Sequence, residues 1–409
     1  MSFLWVLLLF ACGGVGQKDS RPGLTDQEQT NNKQILPPEI AAARTSQYLP
    51  LLKNKKVGVV ANHTSQIFKS EPNAETISAT HLVDSLLSLG IAIEKVFAPE
   101  HGFRGQADAG EAVADGRDKE SGLPLISLYG SNKKPTAAQL KGLDIVLFDI
   151  QDVGVRFYTY IATLQLVMEA CAEENIPILV LDRPNPNIYY IDGPMMEKEH
   201  RGFLGLTPIP LVYGMTIGEY AMMINGENWL EAGLKADLKV IPLANYTRST
   251  RYSLPVRPSP NLPNARAVNL YPSLGLFEGT NINAGRGTEF QFQRFGAPFL
   301  DKEYFDFQYT PQANFGAKNP KHKGVICFGK DLSAETELDR IHLRWLIESY
   351  RNCQDKKLFF NTSNFTKHAG TEKLQQQIEE DLTEDQIRSS WQKDIQKFKK
   401  IRAKYLIYD

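Results

Sequence analysis

The sequence predicts an α/β protein in which a doubly wound, mostly parallel sheet is followed by a second, smaller α+β domain. Short apolar strands alternate with helical stretches between residues 56 and 241, which is typical of parallel sheets covered by helices. Polar residues repeatedly follow the carboxyl ends of these strands. The chain of 409 residues also exceeds the size of a single hydrophobic core. We expect the first domain at residues 40–245 and the second at residues 246–409.

The strands of the first domain are predicted from short apolar and β-branched runs, the pattern of strands that are buried on both faces. These runs are 56–61, 93–98, 125–129, 145–148, 177–181 and 238–241. Helical spacing is found at 80–89 and at 163–174. Thr216 opens a further helix with Glu219 as its partner in a capping box, which gives Glu219 a structural role.

The second domain is predicted to close over the first. Three prolines within 257–264 exclude a helix or a sheet interior and favour an extended crossing segment. Gly285 and Gly287 flank Arg286, which favours either an anion-binding turn or a tight turn with a solvated arginine. A strand is expected at 323–328, with amphipathic helices that form a lid at 338–351, 371–380 and 389–405.

The amino terminus carries the signals of an exported bacterial protein. Residues 3–11 form an apolar run that is too short to span a bilayer, which takes roughly 20 apolar residues, but that fits a secretory signal. The sequence from Leu9 to Cys12 resembles a lipobox, so Cys12 is the predicted lipidation site and a plain cleaved signal is the alternative. Residues 1–16 are assigned to the signal and the polar residues 17–39 to a flexible tether. We expect a periplasmic or cell-envelope lipoprotein that is held at the membrane by its lipid anchor.

Composition and motifs argue against several classes of function. The formal net charge of -1 gives no basis for nucleic-acid binding. No GxGxxG motif follows the first strand and no P-loop is present, so NAD and ATP are not expected and no cofactor is predicted. The four cysteines form no CxxC pair and the histidines are too sparse to predict a metal site. Cys327 and Cys353 either pair or remain free thiols. A serine hydrolase lacks support because there is no GxSxG elbow.

Acids, cations, amides and an aromatic ring follow the strand at 145–148 and its predicted neighbours. These residues are Asn62, His63, Glu100, His101, Arg104, Asp149, Asp152, Arg156 and Tyr158. Ligands of open α/β sheets bind outside the carboxyl ends of the strands. The sequence therefore predicts an active-site rim at this edge of the sheet.

Several long motifs, in one order along the chain, resemble the exo-β-N-acetylmuramidase family, long catalogued as a domain of unknown function. The motifs are VVANHTS at 59–65, APEHGFRG at 98–105, FDIQDVGVRFYTY at 148–160, LDRPNP at 181–186, PSPNLP at 258–263, LFEGT at 276–280 and GRGT at 285–288. The resemblance runs from about residue 45 to the end. It departs from the family after Asn187, where Ile188, Tyr189 and Tyr190 replace a glycine-rich turn, so one rim loop is expected to differ in shape.

The resemblance implies a glycoside hydrolase with a Rossmann-like first domain, a smaller C-terminal domain and a cleft between them. Members of the family hydrolyse the β-1,4 bond after a non-reducing-end N-acetylmuramic acid in peptidoglycan fragments. The expected partners are therefore peptidoglycan-derived muramyl saccharides, in cell-wall turnover or recycling. The alternative is a lipoprotein that binds such fragments without cutting them. It would need no pair of carboxyl groups across the cleft, whereas a glycosidase commonly does.

Hydrolysis of a glycosidic bond commonly takes one protonated and one ionised carboxyl group. Glu100, at a strand end and within the APEHGFRG motif, is the predicted general acid. The candidates for its partner are Asp149, Asp152 and Glu278. His101 is expected to orient Glu100 or to donate a hydrogen bond to the substrate.

Recognition of N-acetylmuramic acid calls for a fixed cation, because this sugar carries a lactyl carboxylate. The candidate cations are Arg104, Arg156 and Arg286. Amides suit the sugar hydroxyls and the acetamido group, and an aromatic ring suits a sugar face. The remaining predicted substrate-binding residues are Asn62, His63, Tyr158, Asn261 and Asn264.

Overall fold

The computed structural model describes residues 36–69, 78–104 and 115–409. The predictions for Cys12, the signal and most of the tether lie outside these residues, as does Gly105. The strands are β1 Val57–Ala61, β2 Gln66–Lys69, β3 Ser78–His81, β4 Ile93–Ala98, β5 Gly116–Arg117, β6 Pro124–Ser127, β7 Ile145–Asp149, β8 Ile178–Leu181, β9 Asp192–Met195, β10 Pro210–Val212, β11 Leu238–Ile241, β12 Arg294–Ala297, β13 Phe307–Tyr309 and β14 Cys327–Asp331. The helices are α1 Thr45–Leu52, α2 Leu82–Ser88, α3 Ala137–Leu140, α4 Tyr160–Glu173, α5 Ile217–Gly226, α6 Ala265–Leu274, α7 Arg344–Arg351, α8 Thr362–Ala369, α9 Lys373–Glu379 and α10 Glu384–Arg402.

Strand β1 occupies the centre of a seven-stranded sheet with the order β11-β8-β7-β1-β4-β6-β5. Neighbouring strands are parallel, except that β5 pairs with β6 in the antiparallel sense. The predicted doubly wound, mostly parallel sheet is confirmed. From β1 the chain first adds β4 and β6 on one side and then returns to add β7 on the other. The strand order thus reverses beside β1, and ligands of open sheets bind at such a reversal.

The central strands are apolar throughout because both faces of the sheet are covered. All five residues of β1 are buried. Successive side chains of a strand point to opposite faces. Val60 accordingly belongs to one hydrophobic cluster, to which α4 and α5 contribute, whereas Val59 and Ala61 belong to a second, to which α1 and α2 contribute. This double burial explains the absence of a polar alternation in the strand sequences.

The register of the sheet brings the ends of three strands to nearly the same level. Val60 of β1 pairs with Phe97 of β4, and Ala61 of β1 pairs with Asp149 of β7. The segments that follow these strands therefore leave the sheet at one edge. They carry the three sets of polar residues from which the active-site rim was predicted.

One helix of the first part begins later than predicted, and another begins with the predicted capping box. The helix predicted at 80–89 begins at Leu82, because β3 extends to His81 and the His81 ring accepts a hydrogen bond from Val83 N. The predicted capping box is confirmed: the Thr216 hydroxyl accepts from Glu219 N, and the Glu219 carboxylate accepts from Thr216 N.

The C-terminal part contains a three-stranded antiparallel sheet with the order β12-β14-β13, together with helices α6 to α10. The predicted α+β character is confirmed. The strand expected at 323–328 lies instead at Cys327–Asp331, where it pairs on both sides. The helix expected at 338–351 begins at Arg344, because earlier backbone amides bond to side chains. Leu338 N donates to Asn269 Oδ1 and Ile341 N to Asp192 Oδ2, both at 2.8 Å.

Residues 37–409 form one compact unit. One hydrophobic cluster includes both Val60 of the parallel sheet and Trp345 of α7. The boundary between residues 40–245 and 246–409 stays a prediction. Among the described residues, no helix is both long enough and apolar enough to cross a bilayer.

Candidate active site

A cleft of about 840 Å³ opens where β4 and β7 end, and residues of the C-terminal part complete its walls. This volume is typical of a small-ligand site. The structure brings six of the predicted site residues together around it. They are Glu100, His101, Tyr158, Asn261, Glu278 and Arg286. Their catalytic and binding roles stay predictions, but their shared location satisfies the first requirement for those roles.

Glu100 lies directly beyond β4, where the backbone turns sharply. His101 has a φ of 70° and Gly102 a φ of 75°, in the left-handed region that residues other than glycine rarely adopt. Thr159, from the segment after β7, donates a hydrogen bond from Oγ1 to Glu100 Oε2 at 2.9 Å. The Tyr129 hydroxyl bonds to the same carboxyl group, and burial together with the charge of Glu100 raises the pKa of Tyr129. Hydroxyl groups from two separate segments thus fix the orientation of the Glu100 carboxyl group.

Glu278 supplies a second carboxyl group, from the short 3₁₀ helix Gly275–Gly279. Arg286 Nε donates to Glu278 Oε1 at 3.2 Å. Burial by itself raises the pKa of Glu278, but the charges of Arg286 and Lys321 outweigh burial and hold the pKa below its ordinary value. Glu278 is therefore ionised at neutral pH.

Lys321 is a cation of the cleft wall that the sequence analysis missed. Its Nζ donates to the carbonyl oxygens of Thr280 at 2.7 Å and of Phe277 at 3.0 Å. Burial lowers the pKa of Lys321, although the charge of Glu278 acts in the opposite direction. The ammonium group therefore fixes the backbone on both sides of Glu278 while it contributes positive charge to the wall.

Arg286 lies in a turn between two glycines whose φ angles are both 77°. Gly285 N donates to Asn283 Oδ1 at 2.7 Å, and Asn283 Nδ2 donates to Arg286 O at 3.1 Å. A Cβ atom on Gly285 would lie 2.5 Å from Phe290 O, so the turn requires glycine at that position. The turn is therefore tight, as one of the two predicted alternatives requires, but its arginine is paired with Glu278 and is only about one-quarter exposed.

His368, near the end of α8, is a second residue of the cleft that the sequence analysis missed. Its Nδ1 lies 2.8 Å from Asn364 O. A carbonyl oxygen only accepts hydrogen bonds, so Nδ1 carries the proton and Nε2 of the neutral ring is an acceptor. Burial lowers the pKa of His368, which keeps the ring neutral at pH 7. A single histidine within a helix belongs to no motif, so the sequence held no signal for its location.

Aromatic rings provide much of the apolar surface of the cleft. Tyr158 and Tyr271 both line it, with their ring centroids 6.1 Å apart and their planes nearly perpendicular. Tyr158 also packs edge-on against Tyr160 at 4.8 Å. The Tyr158 hydroxyl donates to Pro258 O at 2.6 Å, which fixes the ring against the proline-rich crossing segment.

Asn261, in that crossing segment, is 1% exposed. Its Nδ2 donates to Gly316 O at 2.6 Å. Its Oδ1 is buried and has no hydrogen-bond partner among the described residues. A buried amide oxygen of this kind is a strong candidate to accept a hydrogen bond from a ligand, because leaving it unpaired is unfavourable.

Two of the predicted catalytic carboxylates are buried behind the cleft, and their catalytic role stays a prediction. Arg183 donates to both oxygens of Asp149, at 2.6 and 2.8 Å, so Asp149 joins the ends of β7 and β8. Asp152 accepts hydrogen bonds from Gly154 N at 2.7 Å and from the Tyr213 hydroxyl. Burial raises the pKa of Asp152 to about 6, and these hydrogen bonds oppose the shift. Neither carboxylate lines the cleft.

Two of the three arginines predicted to bind the lactyl carboxylate do not line the cleft and are bonded to groups of the protein. Arg104 pairs with Asp84 at 3.1 Å and with Asp118 at 2.8 Å. Arg156 is fully buried, and its guanidinium group donates to backbone carbonyl groups, which makes it a structural cross-link. These carbonyl groups belong to Pro194, Ile209, His368 and Ala369. Arg286 is the member of that set that lines the cleft, and the binding roles of Arg104 and Arg156 stay predictions.

The other three predicted binding residues shape loops beside the cleft and do not line it. Asn62 Oδ1 accepts from Thr64 N at 2.9 Å, and His63 Nε2 lies 2.9 Å from Arg257 O. Asn264 is the N-cap of α6. The contacts of Asn62 and Asn264 are local, whereas His63 contacts a residue 194 positions away. Polar side chains with such contacts cannot be separated from ligand-binding ones by residue type alone.

The described residues contain no group of three or more His, Cys, Asp or Glu side chains that could hold a metal ion. Cys327 and Cys353 are free thiols rather than a disulfide.

Comparisons with known proteins agree along nearly the whole described chain. The N-terminal model of the exo-β-N-acetylmuramidase NamZ matches residues 57–266, and the C-terminal model matches residues 269–408. The chain is 39% identical over 381 residues to the peptidoglycan β-N-acetylmuramidase NamZ of Bacillus subtilis (strain 168), an alignment that covers 88% of this chain and 89% of the relative.

Two crystal structures of DUF1343 family proteins from Bacteroides fragilis NCTC 9343 have the same fold. One is 40% identical with a TM-score of 0.82, and the other is 26% identical with a TM-score of 0.74. Each comparison covers 91% of this chain and 99% of the crystallised one.

Proposed function

Because the chain belongs to the NamZ family of exo-β-N-acetylmuramidases, we propose that its cleft holds the terminal N-acetylmuramic acid of a peptidoglycan fragment. Glu100 then protonates the glycosidic oxygen that joins this sugar to the next one. The protein is a glycosidase that acts on peptidoglycan. The observation that carries the residue assignment is the presence of two carboxyl groups, Glu100 and Glu278, in one cleft. A protein that binds fragments without cutting them has no need of this pair.

The two carboxyl groups have different surroundings, as the two roles in glycoside hydrolysis demand. Hydroxyl groups of Thr159 and Tyr129 hold Glu100, which suits the orientation of a group that delivers a proton. Cations surround Glu278 and keep it ionised. We therefore assign Glu100 as the general acid. Glu278 is assigned as the ionised carboxylate that acts as base or nucleophile.

The charge of the cleft also favours an anionic sugar. Arg286 and Lys321 face one carboxylate, Glu278, which leaves an excess of positive charge on this wall. The lactyl carboxylate of N-acetylmuramic acid would balance that excess, and a guanidinium group can bind a carboxylate through two hydrogen bonds. The unpaired Asn261 Oδ1 would accept from the acetamido N–H, and His368 Nε2 would accept from a sugar hydroxyl.

We further propose that the enzyme is exported and attached to the cell envelope by lipid at Cys12. The support is the apolar run at 3–11 followed by the lipobox-like sequence ending in Cys12.

The catalytic assignment is tested with Glu100→Gln, which keeps the size of the side chain and removes its acidic proton. We expect kcat for release of N-acetylmuramic acid from its disaccharide with N-acetylglucosamine to fall on the order of 10²- to 10⁴-fold, as for loss of a general acid. Mass analysis identifies the products, and an unchanged melting temperature shows that the variant is folded. Glu94→Gln is the matched control, because Glu94 is an exposed glutamate of β4 outside the cleft. Turnover by Glu100→Gln close to that of wild type would remove Glu100 from the chemistry.

A further inference from the structure

A second cavity of about 790 Å³ adjoins the cleft. Phe203 and Leu204 line both spaces, so these two residues form the ridge between them. They are the central residues of a tight loop that is closed by reciprocal backbone hydrogen bonds. Gly202 N donates to Gly205 O at 3.1 Å, and Gly205 N donates to Gly202 O at 2.8 Å. These backbone hydrogen bonds fix the position of the ridge.

The ridge begins beside the predicted general acid. The Tyr129 hydroxyl bonds to the carboxyl group of Glu100. The Tyr129 ring lies 6.3 Å from the ring of Phe203, and Lys133 Nζ lies 4.7 Å from the Phe203 centroid. The order from the cleft outward is thus Glu100, Tyr129, Phe203 and then the second cavity.

This order matches the direction in which the leaving part of a glycan extends. A general acid protonates the oxygen of the leaving sugar, so that sugar lies on the side of Glu100. Tyr129 and Phe203 are both partly exposed. Partly exposed aromatic rings offer a flat apolar surface on which a sugar can pack.

The second cavity has the charge that the following sugar requires. In an alternating chain the second sugar beyond the cut bond is again N-acetylmuramic acid, which brings another lactyl carboxylate. Lys133, Arg201 and Lys367 line the cavity, against the two acids Glu199 and Glu372. The lysines and the arginine therefore exceed the acids by one.

We propose that the second cavity binds the leaving chain, with the first leaving sugar on Phe203 and the carboxylate of the next one near Lys367. The preferred substrates are then glycan chains of four or more alternating sugars, rather than the disaccharide. This inference rests on the proposed function, because it uses Glu100 as the acid that sets the direction of the chain.

The test compares kcat/KM on the disaccharide and on the tetrasaccharide of alternating N-acetylmuramic acid and N-acetylglucosamine. We expect the wild-type enzyme to prefer the tetrasaccharide on the order of five- to tenfold, and Phe203→Ala to lose most of this preference. Lys367→Gln is expected to lower the same ratio by about threefold. Matched controls are Tyr304→Ala and Lys393→Gln, which alter an exposed aromatic residue and an exposed lysine that line neither cavity.

Equal kcat/KM on both substrates for the wild-type enzyme, with release of N-acetylmuramic acid from each, would overturn the second-cavity proposal and leave the proposed function intact. Absence of release from both substrates would instead contradict the proposed function. A third substrate is the tetrasaccharide with a stem peptide on its internal muramic acid. It distinguishes binding of the glycan from binding of the peptide in the second cavity. If Lys367→Gln slows only the peptide-bearing chain, the cavity binds peptide and the glycan assignment is wrong.

Discussion

The pairing of Arg286 with Glu278 controls the charge of the cleft. Both side chains are about one-quarter exposed, so the pair is partly shielded from solvent yet open to a ligand. The guanidinium group has five N–H donors. It can therefore hold Glu278 through Nε and still present other N–H groups to the carboxylate of the sugar.

Replacement of Arg286 by alanine should reduce both catalysis and selectivity. We expect kcat/KM on an aryl N-acetylmuraminide to fall on the order of 100-fold, because a charge partner of Glu278 and a carboxylate-binding group are lost together. The ratio of kcat/KM between the muraminide and the corresponding glucosaminide should fall as well. Arg286→Lys, which keeps the charge without the fork of donors, should recover part of the rate. An unchanged ratio in Arg286→Ala would contradict the role in binding the lactyl group.

Residue type alone could not distinguish the arginine that lines the cleft from the two that do not. Arg104, Arg156 and Arg286 all lie in long motifs and near glycines or acids. The acids that surround Arg104 include Asp84, which lies 20 residues earlier in the chain. Arg156 bonds to carbonyl groups more than 200 residues away, at His368 and Ala369. Such partners are decided by the fold, so the sequence could nominate these arginines but could not choose among them.

At the scale of the elements, a buried ion pair joins the carboxyl ends of neighbouring strands. Asp149 ends β7 and is fully buried, and Arg183, just beyond β8, is 3% exposed. Arg183 also donates to Gln66 O at 3.3 Å, at the start of β2. The pair therefore joins three segments behind the cleft. A strand end rich in acids thus serves packing as well as chemistry.

Removal of the cation of this pair should destabilise the protein strongly. Arg183→Met leaves Asp149 as a buried charge without compensation, and we expect the free energy of unfolding to fall by about 3–5 kcal/mol. Urea unfolding followed by circular dichroism measures the change. Lys397→Met is the control, because the Lys397–Asp394 pair is exposed and such pairs contribute about 0–1 kcal/mol. Equal costs for the two variants would show that the buried pair has no special structural role.

At the scale of the whole molecule, the last residues of the chain return to the parallel sheet. The Tyr408 hydroxyl donates to Asp182 Oδ2 at 2.6 Å, and Leu243 N donates to the Tyr408 oxygen at 2.8 Å. Asp182, at the end of β8, also accepts from the Thr216 hydroxyl at 2.7 Å. One buried carboxylate thus connects the sheet, the start of α5 and the C-terminus. Arg156 makes a comparable link between the first part and α8.

Asp182 should make stability depend on pH in the direction opposite to most carboxylates. Burial raises its pKa from 3.8 to about 7, although its hydrogen bonds oppose the shift. Between these two values the folded state binds the proton more tightly than the unfolded state, so this contribution to stability is present at low pH and is lost as the pH rises through about 7. We expect acidification from about pH 7.5 to about pH 5.5 to raise the melting temperature of wild type relative to that of Asp182→Asn.

Scanning calorimetry of both proteins at the two pH values gives this difference directly. Histidines whose pKa values are lowered by burial act in the opposite sense, but they are common to both proteins and cancel in the comparison. Parallel pH profiles for wild type and Asp182→Asn would show that Asp182 does not titrate in this range.

The sequence by itself determined the class of the fold, the family and the edge of the sheet at which the site lies. Double burial makes parallel strands continuously apolar, and the polar residues after β1, β4 and β7 mark their carboxyl ends. Both features depend on short stretches of sequence, so they can be predicted without the structure. The tertiary structure alone decided that Glu278 rather than Asp149 or Asp152 shares the cleft with Glu100, and it added Lys321 and His368. The physical reason is that a carboxylate or a cation acquires its role from partners distant in the chain. A charge that meets its counterion inside the fold becomes a cross-link, and one that faces the cleft remains available to a substrate.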